Sequence, residues 1–135
     1  MRGVTRPRVS RSVLDASAVL ALLFKEPGWL EVMGHLPNGM MSAINLCEVM
    51  TKSIDAGMPL EDARLVAAGL PCEIVPFDAE QAYLAGNLRA ATRTFGLSLG
   101  ERACLALGAM RGFPVVTAER TWAECDLGVE VIRIR

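Results

Sequence analysis

Short, wholly apolar runs alternate along this chain with longer stretches in which apolar residues recur every three or four positions. Ser12 to Asp15 reads as a short buried strand, and Ala16 to Phe24 has the Ala/Leu content and spacing of a helix that stops near Glu26-Pro27-Gly28. A second helical stretch, Trp29 to Leu36, leads through Pro37-Asn38-Gly39 to a strand at Met40 to Ser42. Ala43 to Asp55 is helical with Gly57 as its stop, and Pro59 suits the first turn of a helix patterned from Leu60 to Leu70. Pro71 breaks that pattern ahead of a third strand, Glu73 to Pro76. Asp78 and Gln81 have the spacing of a capping box at the head of a long helix that ends at Phe95-Gly96. Ser98 to Glu101 starts the most apolar helix, Ala103 to Met110, and Pro114 to Thr117 is the fourth strand. Thr121 to Cys125 is a short helical turn, and Val129 to Ile134 alternates as a fifth strand, expected at an edge. Strands separated by helices throughout predict a parallel α/β sandwich.

A length of 135 residues suits one domain, placed here at residues 12–135, that buries roughly two-thirds of the surface its unfolded chain would expose. The 52% hydrophobic content and mean hydropathy of +0.33 are high. Every apolar run is broken before about 18 residues, which excludes a spanning helix, so the surplus apolar surface predicts a partner or self-association. A net charge of −1 provides no global basic field for nucleic acid. Twelve of the 14 basic residues are nevertheless Arg, the residue suited to planar phosphate contacts. Arg2, Arg6, Arg8 and Arg11 crowd residues 1–11, read as a flexible basic leader or an arm that touches RNA. That segment has no apolar core of a secretory signal. Cys47, Cys72, Cys104 and Cys125 stand far apart and His35 is the only histidine, which argues against zinc. Reduced thiols in apolar helical patterns point to the cytoplasm.

Four acids change the picture. Asp15 closes the first strand, Glu48 lies on the helix after the second, Glu101 sits in the first turn of the helix before the fourth strand, and Glu119 follows that strand. In an open parallel sheet the ligand crevice lies beyond the carboxyl ends of the strands, where strand order reverses, and these positions converge on it. Clustered carboxylates repel, and a hard divalent cation resolves the repulsion. An all-oxygen donor set selects Mg²⁺ or Mn²⁺, ions suited to phosphoryl chemistry on a polymer. Each acid also has a plainer use. Asp15 suits the N-cap of the next helix, Glu48 an exposed helix face, Glu101 a capping box with Ser98, and Glu119 a solvated loop. Ser17, Asn45 and Thr117 stand near the acids as candidates to orient carboxylates or hold water on the metal. Arg102 and Arg120 each follow an acid directly and are candidates for phosphate contact or local ion pairing. Asp126 is a spare acid that reads more simply as a turn residue. Trp29 and Trp122 suit base stacking or core packing.

The chain resembles the PIN-domain family, and within it the VapC-type toxins of bacterial toxin–antitoxin pairs. The segments that carry the resemblance are Val13 to Leu23, Ser42 to Val49, Leu97 to Leu107 and Pro114 to Trp122, in order, within residues 12–135. The resemblance implies a five-stranded parallel sheet with helices on both faces, and Mg²⁺ or Mn²⁺ at Asp15, Glu48, Glu101 and Glu119. It also implies endoribonuclease activity, a homodimer, and neutralisation by a small VapB-like antitoxin. Asp15 and Glu48 match the family's first two acids in kind. At Glu101 and Glu119 the family usually has Asp, so this chain carries an extra methylene at each. A degenerate PIN-like module that binds RNA or antitoxin without cutting is the alternative. A signalling receiver domain would need paired acids after the first strand and a late lysine, whereas Asp15 stands alone and the lysines are Lys25 and Lys52. Neither Gly-rich nucleotide motif occurs.

Overall fold

Five strands, β1 (Ser12–Leu14), β2 (Gly39–Ser42), β3 (Glu73–Val75), β4 (Val115–Thr117) and β5 (Val131–Arg133), form one sheet in the order β3-β2-β1-β4-β5. Every pairing is parallel, with Val13 opposite both Met40 and Val115. The structure is a computed structural model that describes residues 10–124 and 127–135. Six helices make the crossovers: α1 (Ala16–Leu23), α2 (Trp29–His35), α3 (Ala43–Asp55), α4 (Leu60–Ala68), α5 (Ala79–Thr92) and α6 (Leu99–Arg111).

Successive strand residues point to opposite faces, and both faces are covered. Leu14, Met41 and Val116 pack with Val19 of α1, Val32 of α2 and Val49 of α3. Val13, Met40 and Val115 pack with Leu105 and Leu107 of α6 and with Trp122. Burial on both faces is why β1, β2 and β4 read as continuous buried runs, whereas the edge strands β3 and β5 are only partly buried. The α/β class, the parallel sheet and the two helical layers are as predicted.

Boundaries move by a residue or two. The Leu36-Pro37-Asn38 segment forms a 3-10 turn and β2 begins at Gly39, where a Cβ would collide with Leu14 and the His35 carbonyl. Pro114 has no N–H to add to the ladder, so β4 starts at Val115, while the Pro114 carbonyl still accepts from Val13 N–H at 2.9 Å. α5 gives way to a 3-10 turn at Arg93–Phe95 before Gly96, whose φ of +66° is left-handed.

Arg2, Arg6, Arg8, Cys125 and Asp126 lie outside the described residues. Arg11, the last of the leader, lies 5.6 Å over the Phe113 ring and 3.6 Å from the Glu73 carboxylate. Cys47, Cys72 and Cys104 are free thiols. Among the described residues no helix is long and apolar enough to cross a membrane.

The chain steps from β1 outward to β2 and β3, then returns to place β4 on the other flank of β1. Strand order therefore reverses between β1 and β4, and Asp15 is the first residue beyond that junction.

Candidate metal centre

Asp15 caps α1. Its backbone is extended, its carbonyl accepts from Ala18 and Val19, and its Oδ2 accepts from Ser17 N–H at 3.4 Å. Capping does not exhaust the side chain. The Ser17 and Thr117 hydroxyls reach the same Oδ2 at 2.6 and 3.1 Å. Each hydroxyl has one proton to give; directing it to Asp15 leaves lone pairs that accept from Ala118 N–H and Glu119 N–H, both at 3.0 Å. On the other side, Asn45 Nδ2 approaches Oδ1 at 3.5 Å and donates to the Gly100 carbonyl at 3.0 Å. Asp15 is 2% exposed. Its pKa is raised from 3.8 to about 6, the net of burial, which raises it most, the Ser17 and Thr117 bonds, which lower it, and the Glu101 and Glu48 charges, which raise it.

Glu48 is half-buried on α3. Burial raises its pKa first, Lys52 one turn on opposes the rise, and Glu101 adds to it. Its carboxylate rests against Gly100, in space that a Cβ there would occupy. Glu101 begins α6 as half of a capping motif: Ser98 Oγ accepts from Glu101 N–H at 3.2 Å. The reciprocal half is absent from its side chain, because Glu101 Oε2 accepts instead from Trp122 Nε1 at 2.9 Å. Glu48, Gly100, Glu101 and Lys52 line an open cleft of about 530 Å³. Cys104 lies behind them, its thiol pushed well above its ordinary pKa by burial and then by Asp15, Glu48 and Glu101. Three of the four acids thus share one electrostatic neighbourhood.

Glu119 stands apart. It is exposed, and its charge is not among those acting on Asp15. It lines a neighbouring cleft of about 260 Å³ with Ser17, Lys52 and Arg135. Lys52 borders both clefts, a position that its spacing of four from Glu48 on one helix foreshadows. Arg102 is turned to α5, donating from Nη1 to the Ala85 carbonyl at 2.9 Å, and Arg120 is exposed. Trp122 is fully buried, whereas Trp29 is partly exposed with Lys25 5.8 Å from its ring.

The sequence matches the PIN domain family over residues 12–126, most of its length. This chain belongs to the PIN-domain family. Its fold is similar to that of DNA-bound VapBC from Salmonella typhimurium, at 19% identity and TM-score 0.73 over 94% of this chain and 100% of that one. It is also similar to VapBC-1 from nontypeable Haemophilus influenzae, at 13% identity and TM-score 0.71 over 92% and 98% of the two chains. VapC20 of Mycobacterium tuberculosis, described as a sarcin-ricin loop cleaving toxin, matches at 14% identity and TM-score 0.70 over 90% and 99%. At such identities the likeness shows the fold. No curated protein matches the sequence.

The donors of this PIN domain suit a hard cation. Asp15 Oδ1 has only the long Asn45 contact, and Asn45 Oδ1, in a residue with no exposure, has no hydrogen-bond partner. Such a buried oxygen pair calls for a proton donor or a hydrated cation. Among the described residues no three His, Cys, Asp or Glu side chains are grouped, as they stand, to ligate one ion. Mg²⁺ does not require that, since it is commonly held through one or two carboxylates and retains several waters.

The hydroxyl shell of Asp15 has its own consequence. Thr117→Val keeps the shape of a fully buried residue but removes a donor to Asp15 and the acceptor for Glu119 N–H. It is expected to lower stability at neutral pH by about 1–3 kcal/mol, read by urea unfolding, with Thr117→Ser closer to the parent. Equal stability of Thr117→Val and the parent would show that these bonds do not hold Asp15.

Proposed function

We propose that this PIN domain is a Mg²⁺- or Mn²⁺-dependent endoribonuclease, the toxin component of a type II toxin–antitoxin pair. The observation that carries the reading is the buried Asp15 carboxylate at the reversal of strand order, fixed through Oδ2 by two hydroxyls and nearly unengaged at Oδ1. Asp15 would hold the ion directly, with Glu48 and Glu101 completing its shell from the adjoining cleft and Glu119 approaching from the Ser17 side. Ser17 and Thr117 orient Asp15, and the buried, unpartnered oxygen of Asn45 would accept from a water held on the ion. When bound, the ion would supply the Lewis acidity that lets water attack an RNA phosphodiester in line. No protein nucleophile is required.

RNA would enter over Lys52, which borders both clefts, with exposed Arg120 as a candidate phosphate contact. Arg102, committed to the Ala85 carbonyl, serves packing of α5 on α6 in this arrangement. A homodimer and a small VapB-like antitoxin are the partners proposed. Their support is unspent apolar surface, as at Leu60 and Leu65 of α4 (68% and 71% exposed), together with the VapBC complexes whose fold this chain shares.

The second reading, a PIN-like module that binds without cutting, is favoured by the lack, among the described residues, of three converging ligands. Incubation of purified protein with a mixed structured RNA pool separates the two. Cleavage in Mg²⁺ or Mn²⁺ that EDTA stops is expected; a folded, antitoxin-free sample that cuts with neither ion would leave only the binding module.

A further inference from the structure

We propose that Trp122 is a positioning residue for the acidic centre: its indole N–H holds one oxygen of Glu101 and leaves the other for a divalent cation. The inference rests on the metal-site reading above. Trp122 is 0% exposed, so its N–H cannot turn to water, and indole is a donor with no acceptor role. Its partner is Glu101 Oε2, at 2.9 Å and 21 residues earlier in the chain. The ring belongs to the buried cluster that holds Val13 of β1, Met40 of β2 and Leu105 of α6, so the donor is anchored in the core. Ser98 Oγ fixes the Glu101 backbone N–H. Glu101 is thereby pinned at both ends.

A carboxylate with one oxygen engaged presents one oxygen, which matches the octahedral demand of Mg²⁺ better than a freely rotating bidentate group. The length of Glu101 acquires a purpose as well. An aspartate at this position would withdraw the acceptor by about one carbon–carbon bond, ~1.5 Å by the usual covalent dimensions, and strand a buried indole N–H. Partners of this kind, one step removed from the ion, commonly set metal affinity by 10- to 100-fold.

The test follows the two indole N–H resonances of the ¹⁵N-labelled full chain, assigned with Trp29→Phe, during titration with Mg²⁺. The Trp122 resonance should move with saturation while that of Trp29 stays. By calorimetry, Trp122→Phe, which keeps an aromatic ring but not the N–H, should bind Mn²⁺ at least ~10-fold more weakly than the parent. Should that variant fail to fold, the Trp122 resonance of the parent decides alone, and Glu101→Gln should keep that resonance near its metal-free position and lose its response to Mg²⁺. An unmoved Trp122 resonance at saturating Mg²⁺, or wild-type Mn²⁺ affinity in folded Trp122→Phe, overturns the role of Trp122 alone. A parent protein that binds neither ion overturns the metal-site reading and this role with it.

Discussion

Asp15→Asn is expected to reduce metal-dependent RNA cleavage at least ~100-fold while making the metal-free protein more stable above pH 6. The two effects share one cause. Asp15 is almost fully buried and its pKa rises from 3.8 to about 6 on folding, chiefly through loss of water. The folded chain therefore holds this proton more tightly than the unfolded one. The penalty on stability is absent below about pH 4, grows as pH rises to about 6, and is fully present at neutral pH. The separation between 3.8 and about 6 corresponds to ~3 kcal/mol, an upper bound on what Asn would recover. Asn retains an oxygen for the Ser17 and Thr117 hydroxyls, so the cap of α1 survives. Urea unfolding of both proteins in EDTA from pH 4 to pH 8 checks this. A stability difference that stays flat across that range would show that Asp15 does not carry the buried charge.

Gly100→Ala is expected to preserve or raise stability yet lower cleavage at least ~10-fold. A Cβ on Gly100 would take the space of the Glu48 carboxylate, the far end of a flexible side chain that can swing away without disturbing the backbone. Alanine is favoured over glycine within a helix by up to ~1 kcal/mol, and the Gly100 carbonyl still accepts from Asn45. Loss of one carboxylate from the shell of a hard cation weakens the site by a tenfold step or more. Thermal unfolding measured beside RNA cleavage decides the matter. Full cleavage by a stable Gly100→Ala protein would remove Glu48 from the reaction, and a melted variant would place the glycine in the packing of α6.

The fold was legible because burial on both sheet faces leaves unbroken apolar runs and glycine or proline marks their ends. The exact strand ends were not, since three-residue strands are set by their ladder partners, as Pro114 shows in giving β1 a carbonyl while offering no N–H. Asp15 stood out locally: an acid that both ends a buried strand and starts a helix must be held by something. Ser98-x-x-Glu101 misleads, because the local spacing foretells a capping box and only the backbone half forms. What diverts Glu101 is the Trp122 indole, whose nearness depends on how α6 packs beside the turn after β4. The contact of Glu48 with Gly100 joins residues 52 apart, and no local periodicity signals it. Glu119 shows the reverse. Its setting after a buried strand imitates that of Asp15, yet it lies one residue farther beyond the strand end, in solvent.

Ser17 and Thr117 do two things with the same atoms: they steady Asp15, and they terminate the first two amides beyond β4. Chain order and site charge are therefore tied in one knot. If Asp15 ceased to accept, each hydroxyl proton would be free to rotate and to compete with Ala118 N–H or Glu119 N–H for the lone pair that now receives it. The acidic centre and the first two amides beyond β4 thus hang from the same pair of hooks, the Ser17 and Thr117 oxygens.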